Sequence, residues 1–144
     1  MWLFLDDKRK NPIVVHNDNR GLGLDVGKSD KWVYARNYNE FISIVQNNFD
    51  QIEFISFDHD IDSWIDNPGE SPIELTGKNA AQFVIDHCID HNTKMPDWFV
   101  HSDNPAGNKN IRSLLMNYMV KFEKTILVPT DAFGYFNGEM YFHL

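Results

Sequence analysis

Three short clusters hold the residues best able to do chemistry: Asp6-Asp7, Asp58-His59-Asp60 and His101-Ser102. Crowded carboxylates raise one another's pKa unless a cation or hydrogen-bond donors offset the repulsion, so Asp6, Asp7 and Asp58 together suit a Mg²⁺ seat. His59 and His101 have reference pKa values near neutrality and could exchange a proton with an attacking or leaving oxygen. Taken singly, each acid reads as a loop cap or solvated charge, and each histidine as a packed side chain. Only their convergence in space would make a site.

Cationic and amide groups could complete it. Arg9 and Arg36 offer planar, bidentate contacts to phosphate, although Arg36 reads first as an ion pair with Glu40 one helical turn on. The segment Asn104 to Asn110 opens a helix with small and amide residues. Asn104, Gly107 and Asn110 therefore lie where free backbone N–H groups could hold a phosphate, and an ordinary proline-started helix explains the same residues equally well.

Other patterns carry no chemistry. Gly77-Lys78 lacks the upstream glycine of a Walker loop, and His87 and His91 share a helix face without a third ligand. Cys88 is the single cysteine, which excludes an internal disulfide, and its apolar helical surroundings make it an inert core thiol.

The clusters need a scaffold that brings distant segments together. Trp2 to Leu5 is a short apolar run suited to a strand buried on both faces, ending on Asp6. Trp32 to Ala35, Ile52 to Phe57, Asp97 to Val100 and Thr125 to Val128 read as four further strands. Helices are expected after Asn39, after Thr76 as a cap, and after Asn104-Pro105. Lys8 to Lys31 reads as a polar excursion, and the segment with Pro68, Gly69 and Pro72 as a loop. Asn137-Gly138 between aromatic residues predicts a closing hairpin where a final helix would normally stand. The expectation is an α/β, three-layer flavodoxin or receiver-like fold with a five-stranded, mostly parallel sheet and a C-terminal β-hairpin. Right-handed crossovers would place all the strand carboxyl ends, and hence the three clusters, on one edge.

At 144 residues and 42% hydrophobic content the chain is expected to form a single domain over residues 1–144. Its net charge of −8, from 21 acids against 13 bases, gives no pull toward duplex DNA. Acids follow the first apolar run too soon for a signal peptide, and no run approaches the roughly 20 residues of a membrane span, so a cytoplasmic protein is expected. These features leave the oligomeric state undetermined.

The segments Leu3-Phe4-Leu5-Asp6-Asp7-Lys8-Arg9-Lys10-Asn11-Pro12, Ser56-Phe57-Asp58-His59-Asp60-Ile61, Thr76-Gly77 and His101-Ser102-Asp103-Asn104-Pro105-Ala106-Gly107 together resemble the cyclic-phosphate processing receiver-like family. The resemblance covers roughly residues 1 to 128 in order and implies that the single domain is receiver-like. It implies that Asp6 and Asp7 are the acidic metal-binding pair, that Asp58 stands where receivers accept phosphate, and that Ser102 is the hydroxyl contacting it. Pro129-Thr130 stands where signalling receivers carry a lysine, which speaks against aspartyl-phosphate signalling. The histidines beside Asp58 and Ser102, alien to ordinary receivers, point to a reaction in place of phosphate storage. The implied activity is metal-assisted hydrolysis of cyclic phosphates on nucleotides or RNA ends, with His59 and His101 as base and acid in either order, or a metal-free variant using the histidines alone. The alternative is a non-catalytic receiver-like module that binds a nucleotide or a protein.

Overall fold

Four consecutive apolar residues are too few for a helix yet can be buried on both faces of a parallel sheet, and Trp2–Leu5 forms such a strand (β1) at the centre of one. The computed structural model describes residues 1–9 and 31–123, and residues 125–129 and 139–143 as strand backbone. The expected excursion after Lys8 lies mostly outside these residues.

Strands Trp32–Ala35 (β2), Phe54–Phe57 (β3) and Asp97–Val100 (β6) complete a four-stranded sheet in the order β2-β1-β3-β6. All three pairings are parallel, with Leu5 opposite both Ala35 and Phe57, and Phe57 opposite Val100. Every strand therefore ends at one level, and the residues that follow are brought side by side. Alternation sorts the side chains by face. Leu3, Leu5, Ile55, Phe57, Trp98 and Val100 pack with the helices, whereas Phe4, Trp32, Phe54 and Phe99 form an aromatic cluster on the other face.

The helices Tyr38–Asn48 (α1), Gly77–His91 (α2) and Pro105–Phe122 (α3) bury Phe41 and Val45, Ala80, Ala81 and Val84, and Ile111 and Leu115 respectively in that core. Each begins at a side-chain cap that takes up a backbone donor otherwise left open. The first helix starts at Asn37, not at the expected Asn39, because the Asn37 side chain accepts the Glu40 N–H. Thr76 caps α2 as expected and adds a reciprocal contact with Asn79, forming a capping box. Asn104 caps α3, with Pro105 in its first turn.

Two features differ from expectation. The segment read as a loop contains an antiparallel pair, Ser63–Ile65 (β4) with Ile73–Leu75 (β5). These strands are three residues long and largely exposed, too short and too solvated to leave a periodic apolar signature. The expected fifth strand forms at Thr125–Pro129 (β7), but among the described residues it does not extend the parallel sheet, which is four-stranded. It pairs antiparallel with Glu139–His143 (β8), Thr125 opposite His143 and Pro129 opposite Glu139. The fifth strand is therefore one arm of a separate two-stranded antiparallel unit. Residues 130–138, including Asn137-Gly138, lie outside the described residues. Among the described residues, three helices over a parallel sheet of this order make an α/β receiver-like domain, consistent with a flavodoxin-like layering.

Candidate active site

The carboxyl ends of β1, β3 and β6 surround a cavity of about 310 Å³. Asp6, Asp7, Lys8 and Arg9 line it from the loop after β1, Asp58 and Asp60 from the loop after β3, and Ser102, Asp103 and Asn104 from the loop after β6. Seven of these nine residues are ionisable, five acids against two bases.

Asp6 is fully buried and accepts from four donors. Its Oδ1 receives the N–H groups of Lys8 and Arg9, each at 2.8 Å. Its Oδ2 lies 2.9 Å from Nη1 of Arg9 and 3.0 Å from Nε2 of His101. Burial alone would raise its pKa, but the donors at His101, Arg9 and Lys8 hold the carboxyl well below the usual carboxylate range. Asp58 has fewer such donors. Burial and the charge of Asp6 push it up to about 6, against the His59 N–H and the charge of Arg9. Two carboxylates in one site thus have separated affinities for a proton.

Asp6, Asp58 and His101 each offer a ligand atom, all within 4.8 Å of one another, and all three residues are buried. Two carboxylates and an imidazole suit a divalent cation: the oxygens match Mg²⁺, and the nitrogen also admits Mn²⁺ or Zn²⁺. Burial holds His101 below its ordinary pKa, partly opposed by Asp6, which keeps the ring neutral as a ligand must be. Asp7 lines the cavity as well but lies outside this trio. Burial and the charge of Asp6 raise its pKa. The chain also supplies its own cation: Nη1 of Arg9 stands 3.9 Å from Asp58 Oδ2, and Nη2 bonds Asp103.

Two glycines set the Asp58-His59 segment. A Cβ at Gly77 would lie 1.8 Å from the Asp58 carbonyl oxygen, and the Gly77 N–H donates to the His59 carbonyl at 2.8 Å. A Cβ at Gly107 would come within 2.3 Å of the His59 ring. His59 therefore packs on the first turn of α3, with Nδ1 2.9 Å from Asp60 Oδ1. That contact holds Asp60 below its ordinary pKa.

The remaining expected residues divide. Ser102 accepts the Asn104 N–H at 3.1 Å. Asn104 also accepts the Gly107 N–H at 3.0 Å and donates to Asp60 at 3.4 Å. The Gly107 N–H, expected to be open for phosphate, is thus taken by the cap, and Asn110 is exposed outside the cavity wall. Arg36 turns its guanidinium to the carbonyls of Asp6, at 3.0 Å, and Arg9, and its backbone N–H donates to Glu40. It braces the β1 loop from behind. His59 and His101 stand beside the cavity wall, outside the residues that form it. Lys8, Asp60 and Asp103 were not singled out as binding groups in the sequence, although each lies inside a motif quoted above. Ser56 was missed as well; its signal is a lone hydroxyl within an apolar strand.

The model of a family described as the cyclic-phosphate processing receiver domain matches residues 1–117. No curated protein and no solved structure matches the chain.

Proposed function

Because the chain belongs to the cyclic-phosphate processing receiver domain family, we propose that it is a metal-assisted phosphoesterase that hydrolyses cyclic phosphates of nucleotides or RNA ends. The observation that carries this reading is the buried Asp6, Asp58 and His101 trio at the edge of a charged cavity. Asp6 and Asp58, with His101, would hold the cation. A divalent ion there supplies Lewis-acid stabilisation of phosphoryl oxygen charge and a more acidic water.

The chain's own groups do the rest. Arg9 and Lys8 face the cavity and bind phosphate oxygens, while the Ser102 hydroxyl and the Asn104 amide orient them. In hydrolysis a water oxygen forms a bond to phosphorus as one ring P–O bond breaks, leaving a phosphomonoester and a free hydroxyl. The proton lost by the water goes to a base, and the leaving oxygen gains one. His59, held by Asp60, is the group beside the cavity suited to either transfer. The whole chain acts as one receiver-like domain in the cytoplasm. Among the described residues no helix is long and apolar enough to cross a membrane.

A second reading, a non-catalytic module that binds a nucleotide, draws on the placement of both histidines beside the cavity wall. Hydrolysis of 2′,3′-cyclic mononucleotides, cyclic-phosphate-ended RNA and cyclic oligonucleotides, with Mg²⁺ and with chelator, separates the two. Turnover lost on chelation is expected; binding without turnover across the panel selects the module.

A further inference from the structure

Ser56 stands in β3 between Phe4 and Phe99 of the neighbouring strands and is fully buried. A hydroxyl in such surroundings is costly unless its hydrogen-bonding capacity is used. Its Oγ lies 2.7 Å from Nδ1 of His101. The His101 ring stacks on Phe4, with centroids 4.6 Å apart and planes 9° from parallel. Its other nitrogen, Nε2, reaches Asp6 at 3.0 Å. One nitrogen is thus gripped, one ring face is packed, and the second nitrogen is delivered to the carboxylate pair.

We infer that Ser56 is a positioning residue, which aims Nε2 of His101 at Asp6 and Asp58 and supports either tautomer of the ring. A hydroxyl both donates and accepts. When Ser56 donates to Nδ1, the Nε2–H donates to Asp6. When Ser56 accepts from Nδ1–H, Nε2 presents a lone pair that a divalent cation can take. Alanine supports neither arrangement, and threonine keeps both. The hydrogen-bond partner of the distal ring nitrogen sets how an imidazole offers the other one. This inference rests on the reading of Asp6, Asp58 and His101 as a cation seat and adds the residue behind it.

The test compares wild type, Ser56→Ala and Ser56→Thr by calorimetric titration with Mn²⁺ and by long-range ¹⁵N–¹H spectra of the histidine rings in the metal-free protein. Thermal unfolding of each variant checks that it is folded. The expected result is a loss of about 10- to 100-fold in Mn²⁺ affinity for Ser56→Ala, the range for removal of such an outer partner. The ¹⁵N pattern of His101 should shift in the same variant, and Ser56→Thr should restore both readouts. Wild-type affinity together with an unshifted His101 pattern in Ser56→Ala would overturn it. If wild type itself binds no Mn²⁺, the cation reading fails, and the ring spectra alone decide whether Ser56 positions His101: a shift supports it, and an unshifted pattern overturns it.

Discussion

Replacing Asp58 by asparagine should stabilise the protein at high pH and leave it nearly unchanged at low pH. The Asp58 pKa rises from 3.8 to about 6 on folding, so the folded state holds this proton more tightly than the unfolded chain. Stability contributed by the protonated form is present below the unfolded value of 3.8 and is lost as pH rises toward 6. Above that, the ionised carboxylate costs roughly 3 kcal/mol, at about 1.4 kcal/mol per pH unit. The side chain is only 10% exposed, so solvent screening discounts this figure little. Asparagine keeps the shape and removes the charge that burial and Asp6 disfavour. The assay is urea unfolding of wild type and Asp58→Asn at pH 4 and pH 8 in the presence of chelator, with the difference between the proteins cancelling every other titration. The expected outcome is a gain of about 2 to 3 kcal/mol at pH 8 that shrinks toward zero at pH 4. Equal stability at pH 8, or the same difference at both pH values, would refute the claim that burial and the Asp6 charge disfavour the ionised Asp58. Added Mg²⁺ should stabilise wild type and leave Asp58→Asn nearly unmoved, because an ion that binds only the folded state shifts unfolding by mass action.

Asp6→Asn should act in the opposite sense, destabilising by about 3 kcal/mol or more, since it leaves buried donors facing a neutral amide. The depressed pKa of Asp6 makes that loss constant above the unfolded value of 3.8 and lets it fade only as pH falls below it toward the folded value, so urea midpoints should differ equally from pH 5 to 7 and begin to converge below pH 4. Gly107→Ala should force the His59 ring to move, given a Cβ contact of 2.3 Å, and remove turnover while circular dichroism still reports α3. Gly77→Ala meets backbone at 1.8 Å, which cannot swing aside, so a loss of at least 1 to 3 kcal/mol is expected by chemical denaturation. Asn104→Ala removes the α3 cap and should cost about 1 kcal/mol as well as weakening phosphate binding in a competition assay.

The residues of the sheet and the motif clusters were legible in the amino-acid sequence for one physical reason. A short apolar run that ends on polar residues predicts a buried strand that hands its polar residues to the carboxyl edge of the sheet, and Trp2–Leu5, Phe54–Phe57 and Asp97–Val100 all behave so. Alternation of these strands with capped helices was enough to bring Asp6, Asp58 and His101 to one edge. The start of α1 and the β4–β5 pair were not legible, because an asparagine two residues away caps equally well and exposed three-residue strands leave no pattern. Nor was the partner of β7, since an apolar strand can pair on either hand and sequence alone does not choose.

Within the site, residue type determined what could occur and packing decided what does. The sequence supplied two acids that could each be the perturbed one. Only the fold gave Asp6 four donors and left Asp58 with fewer, because hydrogen bonds depend on which atoms lie within 3 Å and not on which residues are present. Likewise His101 was visible as a proton carrier, whereas its stacking on Phe4 and its contacts to Ser56 and Asp6 arise from strands distant in sequence. A glycine motif signals close approach in general. That Gly77 meets the Asp58 carbonyl and Gly107 the His59 ring was decided by the tertiary structure, since the direction of approach belongs to neither segment alone.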